Sequence, residues 1–121
     1  MANTINVTAC DNELIIKVFQ WSTSYELCTI LSGNSNAVSV NLTLSEGLYC
    51  GPVFLNGVDN PLNVSLDIPL PAGDYSLQLL GTNWGSVDAF SISVNGVPYQ
   101  YSEPSDPAGL VYSPAPIAIT V

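Results

Sequence analysis

The sequence of 121 residues predicts an all-β fold, an antiparallel β-sandwich of the jelly-roll or immunoglobulin-like kind, with about 8–10 short strands and essentially no helix. Apolar and polar residues alternate with the period of two that marks a strand with one buried face. Turn residues interrupt this alternation every ~8–12 residues, and no segment has helical periodicity. The length suits one hydrophobic core, so we predict a single domain, residues 1–121.

Ten segments carry the strand pattern. Ala37 to Ser45 alternates most regularly, and Leu62 to Leu80 contains two strands around a Pro/Gly turn. Leu14 to Trp21 is apolar on both faces except for Lys17 and Gln20, which predicts a central or covered strand with Trp21 in the core. In chain order the predicted strands are Ile5–Cys10, Leu14–Trp21, Tyr25–Ser32, Ala37–Ser45, Leu62–Ile68, Tyr75–Leu79, Ala89–Val94, Val97–Ser102, Leu110–Tyr112 and Ile117–Val121.

Two stretches of the chain are similar to each other. The sequence VSVNLTLSEGLY from Val38 matches VSLDIPLPAGDY from Val64 at an offset of 26 residues. This pattern indicates either an internal duplication of a strand-turn-strand unit or the alternation that any two amphipathic hairpins share. Tyr75, at the end of the second stretch, resembles the buried corner tyrosine of immunoglobulin-like sandwiches, and the resemblance implies a structural role.

The charge balance excludes several classes of function. Lys17 is the one basic residue against ten carboxylates, which gives a net charge of −9. Such a surface cannot neutralise phosphates, so we expect no nucleic-acid partner and no attraction to anionic membranes. The sequence has no histidine, so Ser-His-Asp and Cys-His catalysis are excluded. We therefore predict a protein that is not an enzyme and that needs no cofactor.

The amino terminus lacks the basic and apolar segments of a signal peptide, and no run approaches the ~20 apolar residues of a membrane helix. We expect synthesis in the cytoplasm, with release or assembly outside the cell as an open alternative. The odd set Cys10, Cys28 and Cys50 predicts either buried free thiols or one disulfide with a spare thiol that links subunits.

Aromatic residues near amides and carboxylates are the candidate binding groups. Trp84 lies in a polar loop with Asn83 and Asp88 close by in sequence, a combination that suits stacking on a sugar and hydrogen bonding to its hydroxyls. The alternative is that Trp84 plugs one end of the sandwich. Tyr99 and Tyr101 are two residues apart and so share one face of a strand, either as an aromatic platform or as a cover for the core.

Calcium is the ion that this acidic chain could hold, because loop carboxylates are hard oxygen ligands. Glu103 and Asp106, in the longest irregular segment, are the candidate ligands. Solvated turn carboxylates are the alternative, since no calcium-loop spacing is present.

These observations lead to three ordered hypotheses of function. The first is an oligomeric, lectin-like module that binds a neutral carbohydrate. The second is a structural protein that self-assembles into a fibre, coat or inclusion, and the third is a small toxin subunit. Edge strands with so few charges also predict that the sheet edges are covered by neighbouring subunits or by Pro-rich loops.

Overall fold

The alternating segments form eleven strands in the computed structural model, which describes residues 2–32 and 37–121, apart from the side chains of residues 86–88 and 104–106. No helix occurs within the described residues. The strands are β1 (Asn3–Asp11), β2 (Glu13–Gln20), β3 (Thr23–Ser32), β4 (Val38–Glu46), β5 (Val53–Gly57), β6 (Leu62–Leu70), β7 (Asp74–Asn83), β8 (Ser86–Val94), β9 (Val97–Asp106), β10 (Gly109–Tyr112) and β11 (Ile117–Thr120).

These strands form two sheets that pack face to face, so the predicted β-sandwich is confirmed. The first sheet has the strand order β6-β4-β1-β8-β9. The second sheet has the order β10-β7-β2-β3-β5, and β11 also pairs with β7. Both sheets are mixed rather than fully antiparallel, because β4 pairs with β6 and β3 pairs with β5 in parallel.

The chain builds both sheets as a stack of five β-arches, each of which contributes one strand to each sheet. The order of the arches is β5-β6, β3-β4, β1-β2, β7-β8 and β9-β10, and it is the same in the two sheets. The strand registers place all connections within arches at one end of the sandwich, which we call the arch end. The connections between arches, including the turn at Asn95 and Gly96, lie at the opposite end, which we call the turn end.

The two similar stretches of the sequence lie side by side in the first sheet as β4 and β6. Val40 pairs with Val64, an offset of 24, which differs by two from the sequence offset of 26. A shift of two residues keeps the apolar residues on the inner face, because the side-chain period of a strand is two.

Large side chains fill the space between the sheets and require a glycine at one position. Phe90 stacks on Tyr112 with the ring centroids 4.8 Å apart and the planes 9° from parallel. A Cβ atom at Gly81 would collide with the Phe90 ring and would lie 2.8 Å from the Cβ atom of Tyr112. Glycine is therefore what allows these two rings to approach the backbone of β7.

Trp21 does not lie in the core, and that expectation is wrong. Its side chain is 100% exposed, and its φ angle is 56°. Strand β2 ends at Gln20, which pairs with Thr23, so Trp21 is the first residue of a two-residue turn. Trp21 also lies three positions after the buried Val18, so strand alternation places it on the side of Ile15 and Phe19, away from the core.

All nine prolines lie in or next to the strands at the sheet edges. Proline cannot donate a backbone hydrogen bond, so it blocks the pairing of another strand to an edge. This placement favours protection by proline over coverage by neighbouring subunits. The prolines are Pro52, Pro61, Pro69 and Pro71 around β5 and β6, Pro98, Pro104 and Pro107 around β9, and Pro114 and Pro116 between β10 and β11.

Tyr75 has the structural role that its sequence context implies. Its side chain is buried, and its hydroxyl donates a 2.6 Å hydrogen bond to the carbonyl oxygen of Pro71. We expect Tyr75→Phe to lower the free energy of unfolding by about 1 kcal/mol, because one buried hydrogen bond is lost. Urea unfolding measures this change. Tyr25→Phe is the control, because the Tyr25 hydroxyl donates no hydrogen bond to the described residues, and an equal loss in both variants would contradict the assignment.

Candidate functional site

The arch end is held together by the backbone of Asn12, which lies in the connection between β1 and β2. Asn12 is buried, and its N–H donates to the carbonyl oxygen of Thr82 at 3.1 Å. Its own carbonyl oxygen accepts a 2.7 Å hydrogen bond from the N–H of Ser32. These bonds connect three neighbouring arches at the point where each arch crosses between the sheets.

The side chain of Asn12 fixes the loop that carries Trp84. The N–H of Trp84 donates to Asn12 Oδ1 at 2.8 Å, and Asn12 Nδ2 donates to Asp11 Oδ1 at 2.6 Å. Burial raises the pKa of the Asp11 carboxyl above its usual value. The sequence gives no signal for this role of Asn12, since the contact joins residues 72 positions apart.

Trp84 is half-exposed, with 50% of its side chain accessible to solvent. Its neighbour Asn83 is buried with 0% exposure, because successive residues at a strand end point to opposite sides. Asn83 therefore cannot contact a ligand at the surface, contrary to its expected role. The side chain of Asp88, the third member of this predicted group, lies outside the described residues.

Tyr99 and Tyr101 share one face of β9, and that face points towards the core. They pair with the buried residues Ile92 and Phe90, and both are half-buried against the core. Tyr112 donates a 2.8 Å hydrogen bond to the carbonyl oxygen of Tyr99. The two tyrosines cover the edge of the core and form no exposed platform with Trp84.

The residues predicted to bind calcium lie near the arch end of the first sheet. The backbone of Glu103 pairs with that of Asp88, and the backbone of Asp106 pairs with that of Ser86. Glu103 is exposed, whereas the side chain of Asp106 lies outside the described residues. Among the described residues, no three acidic or thiol side chains are grouped closely enough to hold a metal ion.

The three cysteines, all within the described residues, are free thiols in two different environments. Cys10 and Cys28 lie in the core, whereas Cys50 is exposed. Burial, with smaller effects of Asp11 and Cys28, raises the pKa of Cys10 to about 12. Burial raises the pKa of Cys28 to about 11. A link between subunits through Cys10 or Cys28 is therefore wrong for the folded chain, because neither thiol reaches the surface.

Comparison with known proteins finds no matching family model, no similar curated protein and no similar solved structure. Within the described part of the chain there is also no helix that is long and apolar enough to cross a membrane.

We expect Asn12→Ala to lower the free energy of unfolding by about 1–3 kcal/mol, because it leaves the Trp84 N–H and the Asp11 carboxyl without their partner. In a Trp21→Phe background, acrylamide quenching should report increased mobility of Trp84. Asn41→Ala is the control, since Asn41 is an exposed residue whose side-chain partner is Asn6. Equal destabilisation by both alanine variants would contradict the role of Asn12.

Titration with a thiol reagent should distinguish the three cysteines by their rates of reaction. A raised pKa leaves less of the reactive thiolate at any given pH, and burial also blocks the reagent. At mildly alkaline pH we expect the native protein to react rapidly through Cys50 alone, with Cys10 and Cys28 reacting only after unfolding. Cys50→Ser is the matched control and should abolish the rapid phase. A rapid phase that persists in this variant would contradict the assignment.

Proposed function

We propose that this chain is a non-enzymatic carbohydrate-binding module in which Trp84 provides the stacking surface. The observation that carries the proposal is a half-exposed indole on a loop whose backbone is held by Asn12. A rigid aromatic ring loses little entropy on binding, and its face suits the apolar C–H surface of a sugar.

The surroundings of Trp84 also suit a neutral ligand. Strand β10 runs beside the end of β7, so Leu110 pairs with Thr82, two residues before Trp84. The side chain of Leu110 is 61% exposed. With a net charge of −9, the protein would repel an anionic ligand, whereas a neutral saccharide carries no such penalty.

A self-assembling structural subunit is the second candidate. The specific observation in its favour is an apolar surface on the outer face of the second sheet, where Phe54 is 60% exposed. Exposed apolar surface of this kind is typical of protein interfaces.

The carbohydrate proposal is tested with a glycan array and matched tryptophan variants. We expect Trp84→Ala to weaken binding of the recognised glycan by about 5-fold to 30-fold, because stacking of a sugar on one aromatic ring is worth on the order of 1–2 kcal/mol. Trp21→Ala is the control, since Trp21 is fully exposed at the turn end. A silent array, or equal loss of binding in the two variants, would contradict the proposal. Circular dichroism checks that both variants fold.

A further inference from the structure

The outer face of the second sheet carries an apolar row that crosses its central strands. Ile15 of β2 pairs with Thr29 of β3 on one side and with Leu80 of β7 on the other. Thr29 in turn pairs with Phe54 of the edge strand β5. Since paired residues share a face, these four side chains, three apolar and one threonine, form one row, which we call the apolar row. Phe54 is exposed, and the other three are partly buried. Their neighbours in sequence, such as Leu14 and Ile16, are in the core.

The outer face of the first sheet is chemically different. Its exposed positions on β1, β4 and β6 carry hydroxyl and amide side chains together with the carboxylates of Glu46 and Asp67, and Asn6 and Asn41 are hydrogen-bonded across the strands. Such side chains are well solvated in water, so covering this face brings little hydrophobic gain. Of the two outer faces, the second sheet is therefore the one that gains most from being covered.

The charges on the second sheet indicate what covers it. Lys17, the one basic residue in the sequence, pairs with Glu26 on β3 and with Gln78 on β7 and thus lies in the row beside Ile15. Glu13 lies on the same face of β2, four residues away. This face therefore carries both signs of charge in a protein of net charge −9. For a second copy related by a two-fold axis that runs between β2 and β3, each Lys17 lies opposite Glu26 of the other copy.

The size of the face is sufficient for a specific dimer. Five strand positions at ~4.8 Å and eight residues at ~3.3 Å give an area of roughly 24 by 26 Å, or about 600 Å² for the whole face of each copy, with Leu110 of β10 included. Specific interfaces begin at about this area per partner. The edges of the sheets are blocked by proline, so pairing of faces is favoured over pairing of edge strands.

We propose that two copies of this chain associate back to back through the outer faces of their second sheets, with the apolar row at the centre and Lys17 paired across the interface. This inference rests on Ile15, Lys17 and Phe54 rather than on Trp84, and it does not depend on carbohydrate binding.

Sedimentation analysis of the full chain over a range of concentrations tests the apolar row. As its concentration rises, the wild-type protein should sediment with a mass twice that of the 12.8 kDa chain. Phe54→Asp should raise the dissociation constant of the dimer by about 10-fold or more, because it places an unpaired carboxylate in the interface. Val97→Asp is the matched control, since Val97 is 52% exposed at the turn end, and it should leave the dimer unchanged.

Charge reversal tests the cross-interface pairing. Lys17→Glu changes the net charge from −9 to −11 and should give a monomer, and adding Glu26→Lys should restore the dimer. Ser39→Asp combined with Ser65→Asp also gives −11, but on the first sheet, and should remain dimeric. Circular dichroism and thermal unfolding confirm folding of each variant. A monomeric wild type, an effect of Val97→Asp equal to that of Phe54→Asp, or dissociation by both −11 variants alike would overturn the proposal.

Discussion

The arrangement of the chain in β-arches is the constraint on which the rest of this structure depends. Each arch crosses the core once and leaves one strand in each sheet, so the two sheets have the same strand order. The crossings then gather at one end and the turns between arches at the other. This arrangement also produces the two parallel pairs, because β3-β4 and β5-β6 follow each other in the same direction, whereas hairpin connections would give only antiparallel neighbours.

Because the connections within arches lie together at the arch end, one buried residue there, Asn12, can order the backbone of the candidate site. A crossing exposes backbone groups that the sheets do not pair, and these groups need partners when they are buried. Asn12 supplies such partners to the backbone of its neighbours through both its main chain and its amide. Trp84 is consequently presented on a backbone that is already ordered, which reduces the entropy lost when a ligand binds.

The two proposals rest on different residues and meet at Leu110, which lies beside Trp84 and on the outer face of the second sheet. Stacking on Trp84 needs an open arch end, whereas back-to-back association covers the central rows of the second sheet around Ile15 and Lys17. A dimer would present two copies of the arch-end site in a fixed relation. Binding of a multivalent glycan would then gain from effective concentration without any new contact.

The sequence by itself determined the strands and their buried faces, because alternation reports directly which side chains leave water. It also indicated the corner role of Tyr75, whose partner Pro71 is only four residues away. Strand parity could further have indicated that Asn83 and Trp84 point in opposite directions. Tertiary structure alone decided the parallel pairing of β4 with β6, the exposure of Trp21, and the contact of Asn12 with Trp84. These features depend on where the chain turns or crosses between sheets and on residues distant in sequence, and local periodicity carries no information about either.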